Sequence, residues 1–177
     1  MTSPTLSIMP LSANALTRTL ARTLVSRGCR RTLGSLAVLV LGGCAHAGGR
    51  QVINPPGIAP LVPAYSVAIR DGDLVFVSGM TGIKPGTQDI VAGGVGVQTR
   101  QTLENIQTSL KAAGATMADV GECTVFLVDM ADYAAMNAEY IQFFRVDPPA
   151  RATLAVTALP RPAARVEIKC TARMKKR

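Results

Sequence analysis

Apolar and polar positions along this chain repeat with periods that change from segment to segment, and the changes delimit the elements. Residues 65–70 and 74–79 are two β-rich runs separated by Asp71-Gly72. Such runs around Asp-Gly predict a hairpin. Leu103, Ile106, Leu110 and Ala113 fall at i, i+3, i+7 and i+10, one face of a helix over residues 95–113 that Gly114 ends. Residues 122–128 form a third apolar, β-branched run, and the acids between 129 and 132 offer cap chemistry for a second helix over 133–144. That helix is expected to bury Tyr133, Met136, Tyr140 and Phe143 or Phe144. Pro148 and Pro149 break it, and strands over 152–156 and 165–172 follow. In the last strand Val166 and Ile168 alternate with Glu167 and Lys169.

The order β-β-α-β-α-β-β predicts an α+β domain, a single mixed sheet with both helices on one face. The other face of that sheet then lacks cover, which a second copy of the chain ordinarily supplies.

Composition adds two constraints. With 48% hydrophobic and 17% charged residues among 177, the chain sustains a packed core built from aliphatic side chains, since there is no Trp. The net charge of +8 sits mainly at the ends. Arg18, Arg22, Arg27, Arg30 and Arg31 precede the first acid, Asp71, and Arg173, Lys175, Lys176 and Arg177 close the chain. A basic groove interleaved with aromatics is absent, so nucleic acid is not an expected partner. The only histidine is His46, which removes histidine-based metal sites and Ser-His or Cys-His catalysis.

Residues 1–44 read as an export leader. The uncharged run 33–41 suits a signal core and ends in Leu41-Gly42-Gly43-Cys44, which resembles a bacterial lipobox with Cys44 as the lipidated residue. Residues 45–52 are a Gly-rich linker and 53–177 the folded domain. The expected location is the cell envelope or periplasm, with membrane contact only through a lipid at Cys44. The basic stretch before the apolar run is long, which suits a start nearer Ser26 or beyond, and a start after the leader would leave a cytoplasmic protein. Cys123 and Cys170 lie in apolar runs, compatible with two buried thiols or with a disulfide.

Among polar residues, Arg151 stands out. Pro148-Pro149-Ala150 lead into it and an apolar strand follows. Its planar fork matches a carboxylate, though the local pattern equally suits a structural ion pair at a strand entrance. Glu167 faces away from its apolar neighbours in the last strand, Ser78-Gly79 ends a hydrophobic strand, Tyr65 precedes the first one, and Asn137 lies on the second helix.

Taken in order, Tyr65, Val77-Ser78-Gly79, Ala112-Ala113-Gly114, residues 124–129, Met136-Asn137-Ala138-Glu139-Tyr140, Pro149-Ala150-Arg151-Ala152-Thr153 and Val166-Glu167-Ile168 resemble the RidA/YjgF family of reactive-intermediate deaminases over residues 53–174. The resemblance implies a chorismate-mutase-like fold and a homotrimer with clefts between subunits. It implies hydrolysis of carboxylate-bearing enamines and imines, such as 2-aminoacrylate and 2-iminopropanoate, to 2-keto acids and ammonia, with no metal or organic cofactor. By the same resemblance Arg151 binds the substrate carboxylate and Glu167 positions or activates water. Tyr65, Ser78, Gly79, Asn137 and Thr153 then line the pocket. Thr153 stands where many members carry Cys, and Lys169 where a second acid is frequent. The export signal also departs from the family's usual cytoplasmic setting. A non-catalytic carboxylate-binding or scaffold module tethered in the envelope is the alternative.

Overall fold

A computed structural model describes residues 49–175, within the compact unit that spans Gly43–Arg177. The leader, the lipobox-like Cys44 and half of the linker, residues 45–48, lie outside the described residues. Six strands and two helices follow in order: β1 (Gln51–Ile53), β2 (Ala68–Asp71), β3 (Leu74–Thr81), α1 (Val95–Ala112), β4 (Val120–Leu127), α2 (Tyr133–Phe143), β5 (Ala150–Ala155) and β6 (Val166–Arg173). They make one mixed sheet in the order β1-β2-β3-β6-β4-β5. Among the described residues only β4 and β5 pair in parallel.

The α+β expectation of one mixed sheet with two helices therefore holds, with one strand more than the pattern predicted. β1 is three residues long and starts at Gln51, inside the stretch read as linker. Gly72, at φ +60°, turns the β2–β3 hairpin, a backbone conformation that favours glycine. β3 does not end at Gly79 as expected. It continues to Thr81 through a register shift between Val77 and Met80, so Ser78 and Gly79 form an irregularity within the strand.

The core lies between the sheet and the helices. Val166, Ile168, Cys170 and Ala172 are buried in alternation along β6, and Cys123, Val125 and Leu127 do the same on β4. From the helices, Leu103, Ile106, Leu110 and Met136 close over them. α1 also buries polar residues that apolar periodicity does not reveal. Asn105 Nδ2 donates to the carbonyls of Thr81 and Ile83 at 3.1 and 3.0 Å. Gln98 Nε2 donates to the Ala163 carbonyl at 3.1 Å, and its Oε1 accepts from the Arg165 amide at 2.8 Å. These side chains tie two loop segments to the helix, because buried backbone groups require partners.

On α2, Met136, Tyr140 and Phe144 are buried as expected, but Tyr133 is 42% exposed. It sits in the first turn, where it meets a side chain from β5 rather than the core. On the helix-free face Phe76 and Leu154 are 44% and 46% exposed, so in a single chain this face is partly apolar and open.

Cys123 and Cys170 lie directly opposite each other on β4 and β6 and form a disulfide. Of the two states their sequence contexts allowed, the register selects the bonded one.

Candidate active site

The predicted site residues fall into two groups. Tyr65, Ser78, Gly79 and Glu167 border one cavity of about 430 Å³. Much of its remaining wall is apolar, from Leu61, Val62, Val67, Met80 and Ile83. Arg151, Thr153 and Asn137 lie elsewhere, where β5 meets α2.

The first group is arranged by the strand irregularity. Ser78 is held by its neighbours, its amide donating to the Val67 carbonyl at 3.0 Å and its hydroxyl to the Ser66 carbonyl at 2.7 Å. Glu167 pairs in register with Thr81 and Phe126, and its side chain leans over Gly79. A Cβ on Gly79 would overlap Oε1 of Glu167 and come within 2.8 Å of its Cδ. The carboxylate therefore occupies space that only glycine leaves free. Half-buried Glu167 has its pKa raised above the ordinary value because burial disfavours the charged form. Tyr65 places its hydroxyl where it accepts from the Leu61 amide at 2.9 Å, folding the 61–65 loop along the cavity.

Gly79→Ala is expected to leave the fold stable, since the clash falls on the far end of a flexible side chain, yet to displace the Glu167 carboxylate. Turnover should fall about tenfold or more, following the steep dependence of catalysis on placement. Unchanged turnover with an unchanged melting temperature would show that the Glu167 position is irrelevant.

The second group centres on Arg151, whose guanidinium lies 4.6 Å from the Tyr140 ring centroid and 5.8 Å from that of Tyr133. Its Nη2 donates to the Tyr133 hydroxyl at 3.2 Å. The partners are neutral, so the charge of Arg151 is positioned without being neutralised, and among the described residues the structural ion pair that its sequence context allowed is not present. Tyr133 was expected in the core but serves here as a support. A hydrogen bond with Asn137 and the nearby Arg151 charge lower its pKa. Burial pushes the Tyr140 hydroxyl up to about 12. Tyr140 OH and Thr153 Oγ1 are enclosed without a hydrogen-bond partner, which leaves two hydroxyls beside the Arg151 segment able to receive one.

Within one chain the groups do not meet. Arg151 and Thr153 align with Cys123 and Val125, placing their side chains on the helix side, whereas Glu167 alternates with buried Val166 and Ile168 and points to the other side. Glu167 is level with Phe126 and Leu154, two strand spacings from β5 and three residues along from Arg151, roughly 14 Å away by ordinary sheet dimensions.

Arg161 also lines the cavity, and sequence reading did not single it out. Its signal was present, since Pro160 and Pro162 flank it much as prolines precede Arg151.

An antiparallel-rich sheet carrying two helices, with a carboxyl group at a strand irregularity and a displayed arginine on an edge strand, defines the class as an α+β domain of the chorismate-mutase-like kind. Comparison with known proteins narrows this. A family model described as Endoribonuclease L-PSP matches residues 58–174, and the chain belongs to this family, the RidA/YjgF family. A RutC family protein of Sulfurisphaera tokodaii is 45% identical over 102 residues, which is 58% of this chain and 82% of that protein. The mouse 2-iminobutanoate/2-iminopropanoate deaminase is 37% identical over 123 residues, 70% of this chain and 90% of the relative. The crystal structure of RidA from Psychrobacter sp. PAMC 21119 superposes with a TM-score of 0.66 at 33% identity, covering 70% of this chain and 99% of that one.

Proposed function

We propose that this protein hydrolyses reactive enamines and imines that carry a carboxylate, of the 2-aminoacrylate and 2-iminopropanoate type, to 2-keto acids and ammonia. The observation that carries this reading is the half-buried Glu167 carboxylate seated over Gly79 at the wall of the cavity. Relatives named imine deaminases support it. The nuclease wording of the family description finds no counterpart in the mainly apolar cavity wall.

In this reading two copies complete each site. Arg151 is displayed on an edge strand with no acid to neutralise it, and its own Glu167 lies on the other face of the sheet. A neighbouring subunit packed on the open face would bring one chain's Arg151 to another's Glu167, which suits a homotrimer with sites between subunits. Arg151 holds the substrate carboxylate through its planar fork. Water adds to the imine carbon as Glu167 takes one of its protons. Glu167 passes that proton to nitrogen, and the C–N bond breaks as the hydroxyl proton moves to the departing nitrogen, forming the C=O bond and ammonia. The raised pKa of Glu167 suits this shuttle, because a group that titrates nearer neutrality both accepts and donates.

An amino-acid oxidase that generates 2-iminopropanoate, with the full chain added, tests this reading. Accelerated loss of the imine is expected, and unaltered decay would overturn the reading. Saturable carboxylate binding without turnover would identify the non-catalytic binding module instead. The pH profile has a defined sign. Since burial raises the Glu167 pKa, the base form is lost as pH falls through a value above that of ordinary glutamate. Wild-type kcat/KM should fall there, and Glu167→Gln should remove that limb and lower the rate by about 10²–10⁴-fold.

Location is part of the proposal. A lipidated Cys44 would tether the domain in the cell envelope, and the Cys123–Cys170 disulfide supports an oxidising compartment. Lipid labelling is expected on the wild type and lost in Cys44→Ser. A wild type without lipid would refute the anchor.

A further inference from the structure

We propose that Arg161 is a specificity-determining residue that binds a second, distal anionic group of the substrate, so that this site takes imines derived from dicarboxylic amino acids. The inference rests on the deaminase reading above and names the substrate class for the same site.

Size is the first observation. The cavity measures about 430 Å³, and a three-carbon imino acid leaves most of it unfilled. The wall also carries Leu61, Val62, Met80 and Ile83, which suit methylene groups rather than charge.

The second observation is how Arg161 is held. Nη1 donates to the Gln88 carbonyl at 2.7 Å and Nη2 to the Gln88 side-chain oxygen. Both acceptors are neutral. Arg100, Arg165 and Arg173 are instead paired with Glu139, Asp132 and Asp73. Arg70 and Arg145 also donate to neutral acceptors, the Gly72 and Ala113 carbonyls and the Gln142 side chain, but Arg161 shares with Arg151 a guanidinium so held that is also approached through proline, and Arg161 lines the cavity. A fixed, uncompensated cation on a cavity wall is a receptor for an anion.

Third, Arg161 is not the partner of Glu167. No ion pair joins them, and burial alone accounts for the raised Glu167 pKa, with no opposing contribution from a nearby cation. The two charges therefore serve separate parts of the cavity. The loop bearing Arg161 is anchored to α1, where Gln98 binds both Ala163 and Arg165, so the guanidinium is offered from a braced segment.

A substrate with its α-carboxylate on Arg151 of the neighbouring subunit, its imine carbon at Glu167 and a terminal carboxylate on Arg161 would use all three groups. The methylenes between would lie along the apolar wall.

The experiment compares two imines generated in place from their amino acids by oxidases, 2-iminoglutarate and 2-iminobutanoate, with the full chain and with Arg161→Gln and Arg161→Lys. Wild type is expected to show the higher kcat/KM on 2-iminoglutarate. Arg161→Gln should lower the ratio of the two kcat/KM values about tenfold or more, as loss of a charge-assisted contact does, and Arg161→Lys should restore part of it. Equal losses on both substrates, or an unchanged ratio, would overturn the assignment. Wild-type turnover of 2-iminobutanoate with no preference for the dicarboxylic imine would overturn it and leave the deaminase reading standing. Turnover of neither would remove both.

Discussion

Replacing Arg151 with alanine is expected to lower kcat/KM by about 10²–10⁴-fold, while the melting temperature shifts little. The guanidinium is the one fixed cation on β5. It rests on the Tyr140 ring at 4.6 Å, is tethered by Tyr133 at 3.2 Å, and meets no acid. In the proposed complex it makes two charge-assisted hydrogen bonds to the substrate carboxylate, each worth about 1.5–3 kcal/mol. Losing both accounts for the range. Stability is spared because the side chain is only half-buried and its support is an aromatic face, worth about 0.5–2 kcal/mol. Arg151→Lys should recover only part of the activity, since an ammonium keeps the charge but not the fork. Steady-state kinetics with 2-iminopropanoate, alongside thermal unfolding, decide the matter. Activity within threefold of wild type in Arg151→Ala would place the carboxylate elsewhere.

The second large effect is on stability. Cys123 and Cys170 are separated by 47 positions in sequence and joined across neighbouring strands in the core. A cross-link closing a loop of that length restricts the unfolded chain by about 4 kcal/mol on the chain-entropy account. The Cys123→Ala/Cys170→Ala protein should therefore melt about 10 °C or more below the wild type. It also loses two buried sulfurs, a packing cost of the same sign. The wild type, denatured without reductant, should show no free thiol from this pair. Equal melting temperatures with two titratable thiols would show that the bond does not form.

The hairpin at Asp71-Gly72, the apolar stripe of α1 and the alternation of β6 could be read from the chain because each is a local periodicity. A turn needs only its own residues, and a buried stripe repeats at the period of its element. β1 escaped notice, since three residues carry too little pattern. Gln98 and Asn105 escaped it for a different reason. Each is polar, yet buried, because loops distant in sequence present carbonyls and an amide to it. Tyr133 was assigned to the core by its helical spacing. It is exposed because the first turn of α2 extends past the edge of the core and meets Arg151.

The candidate site divides the same way. Residue types and short motifs in the chain named Arg151, Glu167, Ser78 and Gly79, largely through a family resemblance, and they indicated an α+β sheet with an uncovered face. Only the tertiary structure decided that Gly79 must lack a side chain because Glu167 lies over it, and that Cys123 faces Cys170. It alone showed Arg161 on the cavity wall and Arg151 on the opposite side of the sheet from Glu167. The physical reason is strand register. Periodicity tells which side chains share a face of one element, but the alignment of β3, β6, β4 and β5 decides which distant residues become neighbours, and that alignment is set by the packing of the whole sheet.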